Sequence, residues 1–380
     1  MINKDINNII QICEEFMKIP SSICSEGPFL NYLKNEIEKL GYETQLKKDY
    51  LVVNPQKNSK YLFSAHIDRH AVIKNEKGQI VHLANYLRKK KGIKFRRESI
   101  QKTENKLVKK INQLSKDDMK LNLDKFFLTA SIDNKTIKFL KDDSINLDEM
   151  FAVRYVKEEI VSYEPKSGKI KNEYKILRYD LDYPNRQIIF ETDKKPKITD
   201  KYFMMKSSII KKKSYFFGQI DNAISAAVLF YLLKTNQFEE QIIFTTKEEI
   251  ADSWRCVDDY IKNSKNKNMN LIVLDTSPYS DLDEYGEGFI TLRYGDERAG
   301  FDKNLVNKIK NKLISMGISY DFKPSYMGRT ELGKLAQETN NKINGTTLQL
   351  PTKNYHTLYE TASYKSLKNY YKIIKSVISN

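Results

Sequence analysis

The chain has 380 residues, 40% of them hydrophobic, which is enough to bury a large core and to form two domains. No apolar run approaches the ~18 residues of a membrane span, and the first residues lack a signal-peptide pattern, so we expect no membrane association. Three widely spaced cysteines predict a reduced, cytoplasmic protein, and the net charge of +16 reflects lysine spread along most of the chain rather than a primary role in binding nucleic acid.

The first 70 residues have the pattern of an α/β unit. Apolar residues at helical spacing predict helices at 5–18 and 28–40, and Gly41 is placed to end the second one. Strands are predicted at 50–53 and 61–65, and the second runs directly into His66 and Asp68. These two side chains share one side of an extended segment, so the carboxylate can orient a metal-binding imidazole. A structural histidine beside a capping aspartate is the alternative that local sequence leaves open.

Residues 71–205 differ in character and predict an inserted, mostly β domain. A hairpin at 72–81 is followed by a basic run at 88–97, a helix at 99–114 and short strands at 126–130, 136–139, 151–156, 173–177 and 187–191. The basic run is typical of a solvated surface. The alternative is that it forms an edge facing substrate or RNA.

The α/β pattern then returns, and three further segments place carboxylates at functional positions. Asp221 precedes a buried helix at 224–233, either as an N-cap or as a carboxylate able to serve two metal ions. The buried strand 241–246 ends in Glu248 and Glu249, which either perform different chemistry at a strand end or form the acidic first turn of a helix. The next apolar strand, 271–274, ends in Asp275.

The last segment supplies a second imidazole. A strand at 346–350 is followed by a loop that contains His356, and a helix at 364–378 closes the chain. Together the strand ends and the helix start deliver two imidazoles and three carboxylates without a thiolate, a set that suits two divalent ions such as zinc, cobalt or manganese. A bridging carboxylate would hold the ions close together, and Glu248 would remain as general base for hydrolysis of an amide or related carbonyl bond.

These motifs resemble the glutamyl aminopeptidases and tetrahedral aminopeptidases of metallopeptidase family forty-two. They occur in the family's order, and the insert falls where the family carries a β-rich dimerisation domain. The matching segments are Ser64-Ala65-His66-Ile67-Asp68-Arg69, Ile220-Asp221-Asn222, Phe244-Thr245-Thr246-Lys247-Glu248-Glu249-Ile250, Val273-Leu274-Asp275-Thr276 and Leu350-Pro351-Thr352-Lys353-Asn354-Tyr355-His356-Thr357-Leu358-Tyr359-Glu360.

The resemblance implies a mixed-sheet α/β/α catalytic domain formed by residues 1–70 and 206–380, with 71–205 inserted. It also implies a role for each residue of the motifs. His66, Asp221 and Asp275 would bind one ion, Asp221, Glu249 and His356 the other, with Glu248 as base and Asp68 orienting His66. His70 and Glu360 are expected to be structural or to lie around the substrate.

The chain departs from the family at the loop Gly328-Arg329-Thr330-Glu331, where the family has Gly-Gly-Thr-Asp close to the substrate. Ala223 and Ser225 also replace the arginine and glycine that often follow the bridging aspartate.

The leading functional interpretation is a cytoplasmic, homo-oligomeric aminopeptidase that uses two divalent ions, with zinc first among them, and acts on peptides. One alternative is a deacylase or carboxypeptidase of the same dinuclear-metal clan. The other is a basic nucleic-acid-binding protein on a peptidase scaffold, suggested by the basic run at 88–97.

Overall fold

A computed structural model describes residues 4–90, 155, 157–182, 187–266, 269–279, 282, 288–325, 328–340 and 343–378. The helix predicted at 99–114 and the strands at 126–130 and 136–139 lie outside the described residues, as does most of the strand at 151–156. The basic run at 88–97 is described only as far as Lys90.

Helices and strands are numbered here along the described part of the chain. The helices are α1 (Lys4–Met17), α2 (Gly27–Lys39), α3 (Leu83–Lys90), α4 (Ala223–Lys234), α5 (Trp254–Asn263), α6 (Lys303–Ser315), α7 (Glu331–Thr339) and α8 (Tyr364–Ile378), with a 3-10 turn at Glu248–Ile250. The strands are β1 (Thr44–Leu46), β2 (Tyr50–Val53), β3 (Tyr61–His66), β4 (Val72–Lys74), β5 (Ile80–His82), β6 (Glu159–Tyr163), β7 (Ile170–Asp182), β8 (Gln187–Thr192), β9 (Tyr202–Met205), β10 (Ile210–Lys211), β11 (Tyr215–Gly218), β12 (Gln241–Thr245), β13 (Asn270–Pro278), β14 (Ile290–Leu292), β15 (Tyr320–Phe322), β16 (Gly345–Thr352) and β17 (Glu360–Ser363).

The largest sheet of the described chain is mixed and has helices on both faces. Eight strands of the described chain pair in the order β1-β2-β12-β3-β13-β16-β14-β15. The four central strands, β12, β3, β13 and β16, are mutually parallel, and antiparallel pairs flank them. The predicted mixed-sheet α/β fold is therefore confirmed.

Neighbouring side chains along the central strands pack against helices on opposite faces of the sheet. On β3, Phe63 packs in the core cluster that includes α1, α2, α4, α6 and α8, while its neighbour Leu62 packs with α5 and α7. Ile242 and Ile243 of β12 divide between the same two clusters. Successive side chains of a strand point to opposite faces, so nearly continuous apolar runs are required when helices cover both faces.

The inserted segment forms a second body of β structure. Strands β4, β5, β8, β7, β6 and β9 close into a barrel, and all of them lie between Val72 and Met205. The division of the chain into domains at residues 70 and 206 stays a prediction. A small sheet, β10-β11-β17, joins two strands that lie between the barrel strands and α4 in the chain to β17, the strand that follows His356. Within the described helices, none combines the length and apolar character needed to cross a bilayer.

Candidate metal centre

The predicted ligands converge at one edge of the sheet because the strands that carry them are neighbours. β12, β3, β13 and β16 run in the same direction side by side, so their carboxyl ends meet at one edge. His66 is the last residue of β3, and His356 lies in the loop after β16. The 3-10 turn containing Glu248 and Glu249 follows β12 and ends well before α5, so these glutamates are not the first turn of that helix.

One cluster is formed by His66, Asp221 and Asp275, whose ligand atoms lie within 4.8 Å of one another. The Nε2 atom of His66 is 3.4 Å from Oδ1 of Asp221 and 3.5 Å from Oδ1 of Asp275. All three side chains are buried. A single imidazole nitrogen thus faces two carboxylate oxygens, as in a three-ligand metal site.

A second cluster lies on the other side of Asp221. Its Oδ2 atom is 3.1 Å from Nε2 of His356, which is in turn 3.7 Å from Oε2 of Glu249. The two oxygens of Asp221 therefore face different histidines, His66 and His356. This places Asp221 between the two groups, joined to Asn222 through a cis peptide bond.

The donor geometry fits divalent cations. For bonds of about 2.0–2.1 Å, the edges of a tetrahedron of ligands around zinc measure about 3.3 Å. Most ligand separations in the clusters, from 3.1 to 3.7 Å, are close to this value. Among the described residues, neither oxygen of the buried Asp221 accepts a well-aligned hydrogen bond, although buried carboxylates ordinarily have such partners. A cation is the partner that this arrangement lacks, so these residues fit the metal that the motifs imply.

The pKa values of the clustered side chains in the metal-free protein are consistent with a cation site. Burial raises the pKa of Asp221, but the imidazoles of His356 and His66 outweigh it and hold that pKa well below its usual range. Burial lowers the pKa of His66, yet the three carboxylates around the ring raise it well above its usual range. Burial also raises the pKa of Glu249 to about 8, against the opposing effect of His356. A bound divalent cation would stabilise the carboxylates and displace protons from the imidazoles.

Asp68 lies behind the first cluster. Its Oδ1 atom is 3.5 Å from Nδ1 of His66, and the carboxylate is completely buried. The backbone N–H groups of Glu248 and Glu249 donate to its two oxygens, each at 3.0 Å. The same carboxylate thus contacts the histidine and fixes the turn that carries both glutamates.

Glu248 borders the first cluster and stays partly open to solvent. Desolvation raises its pKa well above the usual range, with His66 opposing this rise and Asp275 adding to it. A carboxyl group with a raised pKa next to a cation site is suited to accept and return a proton.

Two sequence expectations about these residues need correction. Asp275 does not follow its strand, because β13 continues to Pro278 and pairs with β16 along that whole stretch. The side chain instead reaches the site from inside the strand, near its carboxyl end. The N-cap of α4 is Asn222, so the alternative assignment of Asp221 as that cap is wrong.

The structure gives specific contacts to two residues that sequence reasoning set aside. Oε2 of Glu360 accepts the backbone N–H of Asp221 at 2.9 Å, and Thr352 donates to its other oxygen, also at 2.9 Å. Glu360 thus fixes the backbone of Asp221. His70 lies within the second cluster, with Nε2 2.7 Å from Oε2 of Glu249. Its spacing of four residues from His66, in a chain with only four histidines, was the available signal.

The loop at 328–331 places two of its residues in different surroundings. Glu331 is buried under the sheet, where its carboxylate accepts hydrogen bonds from Ser64 at 2.5 Å and Thr245 at 2.8 Å. Arg329 is more exposed and pairs with Glu297 at 3.2 Å. The first residue of the basic run, Arg88, donates to the backbone oxygen of Glu249 at 2.6 Å, so this end of the run lies at the site.

Comparison with known proteins places this geometry in context. Residues 197–373 match the family model described as M42 glutamyl aminopeptidase. No curated protein sequence matches the chain. The matched segment contains all of the predicted site residues except His66 and Asp68.

Solved structures share the fold along nearly the whole chain. An aminopeptidase from the archaeon Desulfurococcus kamchatkensis is 10% identical with a TM-score of 0.64, covering 98% of this chain and 95% of its own. A TET aminopeptidase from a Thaumarchaeota archaeon is 11% identical with a TM-score of 0.64, covering 99% and 97%. The TET1 peptidase of Pyrococcus horikoshii is 12% identical with a TM-score of 0.60, covering 97% and 99%. At these identities the structures establish the fold alone, and the family model shows that residues 197–373 are similar to the M42 glutamyl aminopeptidases.

Proposed function

We propose that the chain removes N-terminal residues from peptides with two divalent ions held on either side of Asp221. The position of Asp221 carries this proposal, because its two oxygens face His66 and His356 at 3.4 Å and 3.1 Å. One ion would be held by His66, Asp221 and Asp275. The other would be held by Asp221 with Glu249 and His356.

Zinc suits this mixture of imidazole and carboxylate ligands, and cobalt or manganese are the alternatives. Two such ions would supply Lewis acidity to the scissile carbonyl and lower the pKa of the water that attacks it. The protein's own residues would then move the protons and hold the reacting groups.

Glu248 is the residue proposed to move the proton. Its carboxylate would take a proton from the attacking water and return it to the departing amine, so that peptide and water give an acid and an amine. Its partial exposure gives water access to the carboxylate. Burial raises the pKa of Glu248 in the metal-free protein, which allows the carboxyl to hold the proton between the two transfers. Asp68 would hold His66 and the turn that carries Glu248 and Glu249 in fixed positions during the reaction.

The test is metal analysis and peptide hydrolysis on wild type and Glu248→Gln. The variant should keep two ions per chain and lose about 10²–10⁴-fold in kcat, the range expected for removal of a general base. Glu240→Gln is the matched control, since Glu240 lies just before β12, at the opposite end from the site, and its side chain accepts the N–H of Tyr61. Unchanged turnover in Glu248→Gln, or no metal in wild type, would overturn the proposal.

The substrate panel should contain aminoacyl-nitroanilides and N-acylated amino acids. Release of free N-terminal residues supports the aminopeptidase, whereas preference for the acylated compounds would favour the deacylase interpretation.

We also infer that the chain forms homo-oligomers. The Pyrococcus horikoshii TET1 peptidase, which shares the fold, can assemble into a tetrahedron or a large octahedral shell. Light scattering after size-exclusion chromatography tests this, and a mass equal to a single chain of 44.6 kDa would contradict it.

A further inference from the structure

His70 lies on the link between the sheet and the barrel, four residues after His66 and just before β4. Its side chain is buried, with 5% of its surface exposed. The side chain of Gln219 donates to the backbone oxygen of His70 at 2.9 Å, which ties this link to the segment that leads into Asp221. The side chain of Gln219 therefore fixes the position of His70 relative to Asp221.

The imidazole of His70 is directed into the second cluster. Its Nε2 atom is 2.7 Å from Oε2 of Glu249, and its ring centre is 4.5 Å from that of His356. The ligand atoms of these three residues all lie within 4.8 Å of one another. Two imidazoles thus approach the same carboxylate oxygen from different directions.

We propose that His70 is a fourth protein ligand of the second ion, beside Asp221, Glu249 and His356. This inference rests on the proposed two-ion function, which assigned that ion three ligands. The competing role is a positioning residue that only donates a hydrogen bond to Glu249. The two roles differ in what a glutamine at position 70 can replace, because an amide can donate that hydrogen bond but is a poor ligand for zinc.

The extra ligand makes the two ions unequal. The first ion would have one imidazole and two carboxylates from the protein, with a position left for water or substrate, as in catalytic zinc sites. The second would have two imidazoles and two carboxylates, a four-ligand set typical of tightly held zinc. We therefore expect the second ion to bind first and leave last.

A neighbouring histidine provides a matched control. The ring of His82 stacks on that of His70 at 5.6 Å on the barrel side. Its Nδ1 atom accepts the backbone N–H of Asn85 at 3.4 Å, and its Nε2 atom lies 3.3 Å from the hydroxyl of Tyr155. His82 is thus as buried as His70 and in contact with it, but it lies outside the cluster of ligand atoms.

The experiment titrates zinc into metal-free, full-length wild type, His70→Gln and His82→Gln against a competing chelator. Wild type and His82→Gln should bind two ions of unequal affinity. In His70→Gln the tighter ion should be weakened by more than about 100-fold, beyond the loss caused by removing a group that merely orients a ligand. Far-ultraviolet circular dichroism checks that each variant is folded.

X-ray absorption of the zinc-loaded wild type gives a measurement that needs no variant. Three imidazoles shared by two ions support the proposal, whereas two imidazoles shared by two ions overturn it. Unchanged zinc affinity in His70→Gln also overturns it while leaving the two-ion function intact. A wild type that binds fewer than two ions overturns the proposed function itself, so the two failures can be told apart.

Discussion

Asp68 and Glu248 are joined by a hydrogen bond from the backbone N–H of Glu248 to Oδ1 of Asp68, 3.0 Å long and buried at the sheet edge. The other oxygen accepts from Glu249, also at 3.0 Å. Asp68, which faces His66, therefore also fixes the backbone of Glu248, the proposed base, and of Glu249, a proposed ligand. The side chain of Asp68 thus links His66, a proposed ligand of one ion, to the backbone of Glu249, a proposed ligand of the other.

We predict that Asp68→Asn lowers both activity and metal affinity. Asparagine keeps one acceptor oxygen but turns an NH2 group toward a backbone N–H, so one of the two hydrogen bonds is lost. A decrease of about 10–100-fold in metal affinity or kcat is expected from losing such an orienting group. Peptide hydrolysis and zinc titration measure it, and Asp258→Asn, whose carboxylate pairs with Lys262 within α5 at 2.7 Å, is the control. Wild-type affinity and turnover in Asp68→Asn would contradict this role.

Glu331 is predicted to matter for stability rather than for substrate choice. Glu331→Ala removes the acceptor of the buried hydroxyls of Ser64 and Thr245, which should cost about 2–5 kcal/mol of unfolding free energy. Glu331→Gln should cost less, because burial raises the pKa of Glu331 and its neutral form resembles an amide. Denaturant unfolding measures both. Full stability with altered substrate preference would instead place Glu331 against the substrate.

Gly333 is predicted to be required for the loop before α7 to pack. A Cβ atom there would lie 2.0 Å from Oδ2 of Asp296, the oxygen that accepts the N–H and hydroxyl of Thr330. Gly333→Ala should therefore displace Asp296 and destabilise the protein by about 1–3 kcal/mol. Gly27→Ala is the control, because nothing lies within 4 Å of its added Cβ and its backbone is compatible with alanine. Equal melting temperatures of the two variants would disprove the requirement.

The pH dependence of stability should include a contribution from Glu26. Burial, and secondarily Asp68, raise the pKa of this carboxyl from 4.5 to about 8. The folded protein therefore binds a proton that the unfolded chain releases near pH 4.5, so this contribution to stability is present below pH 4.5 and declines until about pH 8. Thermal unfolding of the metal-free protein across this range measures the decline.

Glu26→Gln provides the comparison for that measurement. The amide oxygen can still accept the backbone N–H of Cys24, which donates to Glu26 at 2.9 Å, but the side chain no longer titrates. We expect the melting temperature of the variant to fall less between pH 4.5 and about 8 than that of wild type. Parallel curves would show that folding does not raise the pKa of Glu26.

The strand ends could be read from the sequence because each ligand follows an apolar run. His66 ends β3, Glu249 follows β12 and His356 lies beyond β16, and the continuous hydrophobic pattern of these strands is required for burial on both faces. The sequence did not show that Asp275 lies inside its strand. The polar residues after it pair with β16 as far as Thr352, and only the neighbouring strand determines that extension.

The roles of His70 and Glu331 depended on spatial relationships that local sequence does not contain. The direction of His70 is set by the turn from β3 into the barrel. The partners of Glu331 become visible only when β12 and β3 are aligned, since their register places Ile243 beside Ser64 and Thr245 beside His66. The family motif placed the loop correctly along the chain, but the buried hydroxyls decided which way its carboxylate faces.

The proposed ligands are drawn from positions 66, 221, 249, 275 and 356, so 356 of the 380 residues must be synthesised before the last of them exists. Contacts that span such distances form late in folding, because the intervening chain must first be closed into a loop. Ion binding thus follows folding. The two hydrophobic clusters on the faces of the sheet must therefore keep the proposed ligands in position before any metal is bound.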